Sequence, residues 1–329
     1  MNAMTIKNMT IKKNSVAAAV TASALLLSAC GSGSPDAEAE ENGGLEQETI
    51  VVGTQPFAEL APLHIAIEQG IFEENGLTVE LADATGGGAG LIPGMVAGDI
   101  DVVYSNYVSL LQGAAKGLPL QVVRENDRPG VQALYVMPGS GITEPQDLSG
   151  KTIAINGLGN IMELTSRAVL ESHGVTDAEF VEIPPPNMEA ALANGQVDAA
   201  WLVEPFVTTA TENLGATPVV SAFEGPTEDL PVAGWAVRED FAGENPNTVE
   251  AFVGSMDEAI AVAEEDPEAV KEALLSYTQI PEDVVGKLSP ISFAETSDFS
   301  HLGKLNEIMV EQGLIEQPVD LDTFIADVQ

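Results

Sequence analysis

Two kinds of hydrophobic periodicity alternate along the chain from residue 49 onward. Short apolar or β-branched runs, which are typical of strands, occupy residues 49–53, 77–81, 102–104, 152–155 and 179–183. Stretches with apolar residues at helical spacing separate and follow these runs, and the longest is residues 248–265. Strands that alternate with helices predict an α/β fold, in which mostly parallel sheets are flanked by helices.

The central part of the chain repeats one plan. Each copy contains a helical stretch, a glycine, a strand, a loop and a second helix, and closes with Gly-x-(Ile/Val)-Asp at 98–101 and 195–198. Glycine after a helix adopts the left-handed conformation at little cost, and aspartate accepts hydrogen bonds from turn amides. We therefore predict a structural role for these four-residue signatures. Two units of one plan predict two lobes with a cleft between them.

The N-terminus has the pattern of an export signal. Lys7, Lys12 and Lys13 precede an uncharged, mostly apolar run at 15–27, which is shorter than the roughly 20 residues of a membrane-spanning helix. Leu-Ser-Ala then precedes Cys30, the single cysteine of the chain, and this arrangement resembles the lipobox of bacterial lipoproteins. The resemblance implies cleavage after residue 29 and a lipid anchor on Cys30. An ordinary cleaved signal is the alternative.

Residues 30–48 are predicted to form a disordered tether. The segment is small, polar and acidic, so it buries too little apolar surface to offset the entropy of ordering. We expect an exported protein, held by lipid on the outer face of a bacterial cell membrane or in the periplasm.

The charge of the chain excludes one class of partner. Twelve basic residues stand against 51 acidic ones, for a formal net charge of −39. Nucleic-acid binding requires a positive surface, so we expect no nucleic-acid partner, and membrane contact only through the lipid anchor. His64, His173 and His301 are scattered without metal-ligand spacing, and a lone cysteine forms no multi-cysteine site. No metal and no cofactor are expected.

Candidate ligand-binding residues follow the ends of the predicted strands. In sheets of this type, ligands bind at the carboxyl ends of the strands, where helix N-termini offer free amides. This rule selects Gln55, Phe57, Thr85, Gly86, Ser105, Asn106, Asn156, Gly157, Asn160, Trp201 and Glu204. The glycine run at 86–90 matches no nucleotide-binding fingerprint, and a mobile turn is its alternative interpretation.

Several motifs resemble the solute-binding proteins of ABC importers for nitrate, sulfonates, taurine and pyrimidine precursors of thiamine (NMT1-like). They are Pro62-Leu63 with Ala66, Gly70-Ile71-Phe72, Gly76 to Glu80, 98–101, 147–151, 195–198 and Glu204-Pro205. The resemblance covers about residues 49–260 and implies a two-lobed type II periplasmic-binding-protein fold. Strands crossing between lobes are then expected at 133–137 and 232–237. Lobe one comprises residues 49–134 and 235–329, and lobe two comprises residues 135–234.

The same resemblance implies a function and partners. A monomer is expected to capture a small-molecule solute by closure of its lobes and to deliver it to an ABC permease and ATPase complex. Two alternatives have the same fold: an enzyme of the pyrimidine-synthase or dehydratase type, and a ligand-binding module for a membrane sensor. The synthases use a cysteine-rich iron motif that this chain lacks, and the dehydratases carry no export signal. We therefore predict a binding protein and no enzyme.

The class of solute follows less directly from the residues. Nitrate and sulfonates are anions, but Arg124, Arg128, Arg167 and Arg238 lie outside the candidate loops. Helix N-termini bind anions without arginine, which keeps that class open. Trp201 beside Glu204 instead suits a neutral or cationic aromatic nitrogen compound, such as an aminopyrimidine, and this is the class that we favour.

Overall fold

A computed structural model describes residues 44–83 and 88–328. The predicted signal peptide, the lipid-attachment residue Cys30, most of the tether and the candidates Thr85 and Gly86 lie outside these residues. Within the described ranges, no helix has the length and apolar character needed to cross a membrane.

Two five-stranded sheets form the centre of the molecule. The first sheet contains β1 (Thr49–Thr54), β2 (Thr78–Asp83), β3 (Val102–Asn106), β4 (Leu120–Asp127) and β10 (Ala233–Arg238). The second contains β5 (Ala133–Val136), β6 (Thr152–Ile155), β7 (Glu179–Glu182), β8 (Ala199–Leu202) and β9 (Thr217–Ser221). The strand order of the first sheet is β2-β1-β3-β10-β4, and that of the second is β7-β6-β8-β5-β9.

Helices flank both sheets. The helices α1 to α7 are Ala61–Glu68, Ile71–Glu74, Ile92–Ala97, Tyr107–Ala115, Ile161–Ser172, Pro185–Ala193 and Phe206–Leu214. Those that follow β10, α8 to α13, are Glu239–Glu244, Pro246–Glu265, Pro267–Tyr277, Glu282–Val285, Leu302–Glu311 and Leu321–Phe324. Helices α9 and α10 pack on α1 in the first lobe, and the predicted helix at 248–265 lies within α9. The predicted two-lobed α/β fold with mostly parallel sheets is confirmed.

Each sheet contains one antiparallel strand, which enters from the opposite lobe. β10 pairs antiparallel with β3 and β4, and β5 pairs antiparallel with β8 and β9. The segments that pass between the sheets are residues 128–132 and 222–232. The sequence placed the crossings at 133–137 and 232–237, with lobe boundaries after 134 and 234. In the structure β5 and β10 each belong wholly to one sheet, because each begins only after the chain has crossed.

The repeated Gly-x-(Ile/Val)-Asp signature has the predicted structural role in both lobes. Gly98 and Gly195 adopt left-handed φ angles of 83° and 65° after α3 and α6. The Oδ2 atom of Asp101 accepts a hydrogen bond of 2.8 Å from the backbone N–H of Val51. In the second lobe, the Oδ2 atom of Asp198 accepts the equivalent 3.0 Å bond from the backbone N–H of Thr152. The aspartates therefore join neighbouring strands at their amino ends, opposite the carboxyl ends that face the other lobe.

The folded body begins earlier than β1. A carboxylate oxygen of Glu46 accepts a 3.0 Å hydrogen bond from the backbone N–H of Thr248, at the start of α9. The backbone N–H of Gln47 donates to the Thr248 hydroxyl at 3.0 Å, and Leu45 packs on the hydrophobic core. The body therefore includes residues that the sequence assigned to the tether.

Candidate functional site

A small cavity lies between the two lobes, where the carboxyl ends of the parallel strands face each other. Its volume is about 40 Å³. It is lined by Gln55, Phe57, Glu59, Gly88, Tyr104, Asn106, Asp127, Gln132, Asn156, Ile161, Met162, Trp201, Val203, Val232 and Ala233. Ligand pockets commonly measure roughly 300–1,000 Å³, so the cleft is nearly shut in this structure. A larger groove of about 810 Å³ involves α4 and the segment 313–324, away from these strand ends.

Five of the residues selected from the sequence line this cavity together: Gln55, Phe57, Asn106, Asn156 and Trp201. They come from strand ends of both sheets, as the strand-end rule predicts. Asn106 also caps α4, because its Oδ1 atom accepts a 3.0 Å hydrogen bond from the backbone N–H of Ser109. The structure thus brings the five side chains together, and their contact with a ligand stays a prediction.

Three other candidates lie beside the cavity without lining it. Asn160 caps α5, accepting a 3.0 Å hydrogen bond from the backbone N–H of Met162, and its amide donates to the Asn156 side chain. Gly157 precedes this cap. Ser105 is fully buried in β3, and a Cβ atom at Gly88 would lie only 2.6 Å from its hydroxyl oxygen. The close approach of these two residues explains why glycine occupies position 88.

Glu204 does not occupy the position expected from the sequence. Its carboxylate accepts hydrogen bonds of 3.1 Å and 2.9 Å from the backbone N–H and hydroxyl of Thr208, in α7. It also accepts a 2.9 Å bond from the backbone N–H of Ser289. The side chain is buried and lies outside the cavity lining, because these protein donors already hold both oxygens. The structure therefore places Glu204 in a contact between lobes rather than at the cavity wall.

Two buried acids that the sequence reasoning missed line the cavity instead. Glu59 lies in a short 3-10 turn (Ala58–Leu60) after β1, and Asp127 is the last residue of β4. Only 5% of Glu59 and 1% of Asp127 is exposed. The strand-end rule would have found Asp127 if β4 had been assigned as a strand. For Glu59 no sequence signal was available, because its burial follows from the tertiary fold.

Neutral groups hold one oxygen of each acid. The hydroxyl of Tyr104 donates to Oδ1 of Asp127 at 2.7 Å, and the amide of Asn126 donates to the same atom at 3.3 Å. The amide of Gln132 donates to Oε1 of Glu59 at 3.4 Å. The other oxygens, Oδ2 of Asp127 and Oε2 of Glu59, have no hydrogen-bond partner among the described residues.

The electrostatics of the two acids follow from burial. Burial raises the pKa of Asp127 to about 7. Burial first, and then the charge of Asp127, raise the pKa of Glu59 well above its usual range. No described residue in the cavity lining is a lysine or an arginine. The arginines closest in sequence to Asp127 have other partners. Arg124 forms an ion pair with Asp257 at 2.7 Å, and Arg128 forms one with Glu125 at 2.9 Å.

Aromatic rings complete the lining. Trp201 is buried, and its indole N–H donates to the hydroxyl of Thr165 at 3.2 Å, so only its carbon surface is left for a ligand. Phe57 and Tyr104 contribute two further rings. A cavity with ring surfaces and free carboxyl oxygens can stack a flat solute and accept hydrogen bonds from its N–H groups.

Two sheets of one plan, joined by two crossing segments around a cavity at the strand ends, define a two-lobed solute-binding fold. The chain belongs to the family described as "NMT1/THI5 like", which matches residues 58–270. The sequence alone had indicated this family, and that prediction is confirmed.

Known proteins with similar sequences or structures agree with this assignment. The taurine-binding periplasmic protein of Escherichia coli is 26% identical over 269 residues, which are 80% of this chain and 79% of that protein. A putative aliphatic sulfonates-binding protein of Bacillus subtilis is 26% identical over 71% of this chain and 70% of its own length. The alkanesulfonate-binding protein SsuA from Xanthomonas axonopodis, whose structure was solved with bound MOPS, shares this fold. Its TM-score is 0.74 at 20% identity, and the comparison covers 86% of this chain and 99% of that chain.

Proposed function

We propose that this protein is the extracytoplasmic solute-binding component of an ABC importer, which captures a small nitrogen- or sulfur-containing organic solute between its lobes. The observation that carries the proposal is the cavity itself, which both lobes line at the carboxyl ends of their strands. The family assignment supports it, as do the curated relatives, which are named for binding taurine and sulfonates.

Lobe closure is the proposed mechanism, because direct hydrogen bonds join the two lobes in this structure. The backbone N–H of Ala58 donates to the carbonyl of Glu204 at 3.1 Å. The side-chain amide of Gln112 donates to the carbonyl of Gly159 at 2.5 Å. Admission of a solute to a cavity of about 40 Å³ requires these bonds to break and the lobes to separate. A solute that contacts both lobes then stabilises the closed form by its differential affinity.

A thermal-unfolding screen of the chain from Gly31 onward tests solute binding. The panel contains taurine, alkanesulfonates, nitrate, aminopyrimidines and simple amines. A solute at 100 times its Kd adds about 2.7 kcal/mol to the free energy of unfolding, so a genuine ligand raises the melting temperature clearly. Recovery of the solute unchanged after incubation separates binding from turnover. A flat response to every class would contradict the proposal.

Membrane attachment through Cys30 is a separate part of the proposal. Its support is the sequence alone, in which the single cysteine follows an export signal. Two acyl chains on that residue would anchor the protein stably, with the solute-binding body outside the membrane. Fractionation of cells that express wild type or Cys30→Ala tests this. Wild type should sediment with membranes and Cys30→Ala should not, and identical fractionation would contradict the anchor.

A further inference from the structure

The two acids of the cavity have no counter-charge in the described part of the protein. Glu59 and Asp127 are almost fully buried, and each has one oxygen without a partner there. The groups that donate to their other oxygens, from Tyr104, Asn126 and Gln132, are all neutral. A buried carboxylate without a cation is unfavourable, and in the unliganded protein it lowers its charge by binding a proton.

Two buried acids without a counter-charge lower the stability of the fold. They are expected where a ligand supplies the positive charge. We propose that the solute bound in this cleft carries a protonated nitrogen, and that Glu59 and Asp127 bind that nitrogen. This inference rests on the proposed solute-binding function. The proposed solutes are alkylammonium ions, amidinium ions and protonated aminoheterocycles. In the complex their N–H or N–CH hydrogens would face Oε2 of Glu59 and Oδ2 of Asp127.

The lining favours an organic cation over a metal ion. No group of three or more histidine, cysteine, aspartate or glutamate side chains suited to a metal ion occurs among residues 44–83 and 88–328. Calcium takes 6–8 oxygen ligands. One oxygen of each acid already accepts a hydrogen bond, and so do the amide oxygens of Asn106, Gln132 and Asn156 in the lining. The rings of Phe57, Tyr104 and Trp201 line the same space, and aromatic faces attract organic cations.

The same charges separate this cleft from one built for simple anions. A nitrate or an alkanesulfonate would enter beside two acids, with no lysine or arginine among the described lining residues to balance them. Taurine differs from ethanesulfonate only by an ammonium group. A cleft that binds the protonated nitrogen therefore prefers taurine of the two.

Matched pairs of probes test the charge requirement by titration calorimetry at pH 7.5. The pairs are taurine with ethanesulfonate, trimethylammonium with tert-butanol, and 4-aminopyridine with aniline. In at least one pair we expect the member with the protonated nitrogen to bind ten times or more tightly than its partner. Glu59→Gln and Asp127→Asn should each weaken that binding at least tenfold. Glu250→Gln, at an exposed position on α9, serves as the matched control and should leave it unchanged.

Several outcomes overturn the inference and leave the proposed function standing. One is that, in every pair that binds, the member without the protonated nitrogen binds as tightly as its partner. Another is a cationic probe whose affinity is the same for wild type, Glu59→Gln and Asp127→Asn. A third is failure of every probe with a protonated nitrogen while a solute without one binds in the thermal screen. The proposed function itself fails only where no solute of any charge binds.

Discussion

Glu204 and Ser289 lie on opposite sides of the cleft and are joined by a hydrogen bond of 2.9 Å from the Ser289 backbone N–H to a Glu204 carboxylate oxygen. The same carboxylate holds the first turn of α7 through Thr208. Glu204 therefore holds a helix of its own lobe and, through Ser289, also bonds to the other lobe. This relationship gives Glu204 a role in closure.

Glu204→Ala should therefore weaken the closed state for every solute alike. Loss of a hydrogen bond to a charged group costs about 1.5–3 kcal/mol, which corresponds to roughly a tenfold or greater loss of affinity. Thr208→Ala is the matched control, because it removes one partner of Glu204 within lobe two and keeps the bond to Ser289. Calorimetry with a cationic and a neutral solute checks the prediction. An effect confined to the cationic solute would instead indicate direct contact.

The pH dependence of stability should reveal the buried acid Asp127. Its pKa in the folded protein is raised by burial from 3.8 to about 7, so the folded state binds more protons than the unfolded state between these values. The contribution of Asp127 to the stability of the unliganded protein should then fall as the pH rises from about 4 to about 7, and stay low above that. His64, whose pKa is lowered by burial from 6.5 to about 4, contributes a slope of opposite sign in wild type and variant alike. Asp127→Asn removes this loss, so its melting temperature should exceed that of wild type increasingly with pH.

The neighbours of Asp127 determine which controls that experiment needs. Glu59 has a raised pKa and adds a slope of the same sign, and Glu125, whose pKa is also raised by burial, remains in the variant. Glu59→Gln with Asp127→Asn should therefore flatten the profile further than either change alone. Glu250→Gln should keep the slope of wild type. Equal slopes for wild type and Asp127→Asn would show that Asp127 stays ionised in the folded protein.

The two tryptophans of the chain should report binding separately. Trp201 lines the cavity, whereas Trp235 is fully buried in β10 and donates to the Asn126 side chain at 2.9 Å. A solute that enters the cleft should change the emission of Trp201 because it replaces water or protein against the ring. Trp201→Phe should abolish the change, and Trp235→Phe should retain it. Retention of the full change in Trp201→Phe would place the ligand elsewhere.

The sequence predicted those parts of the fold that depend on local pattern. The strands at 152–155 and 179–183, the repeated signatures and the helix at 248–265 all carry a clear period or turn residue. The strands expected at 133–137 and 232–237 correspond to β5 and β10. Their sheet membership was harder to predict, because pairing partners rather than local pattern decide which sheet a strand joins. In the structure β5 and β10 run antiparallel to their neighbours.

Position in the sheet was sufficient to predict which side chains the fold brings together, and their contact with a ligand stays a prediction. Gln55, Asn106, Asn156 and Trp201 lie at or next to the carboxyl ends of strands, and they line the cavity together. Glu204 also follows a strand, but hydrogen bonds to Thr208 and Ser289 hold it away from the cavity lining. Such partners, one of them 85 residues further along the chain, are set by tertiary structure and leave no trace in local sequence.

The distance between the lobes, measured with and without solute, tests the central claim most directly. The chain from Gly31 onward has no cysteine, so Glu171→Cys on α5 and Glu258→Cys on α9 provide one exposed spin-label site on each lobe. The solute with the largest stabilisation in the thermal screen is added to saturation. We predict a shorter and narrower distance distribution that matches the closed structure. An unchanged distribution at saturation would contradict capture by lobe closure.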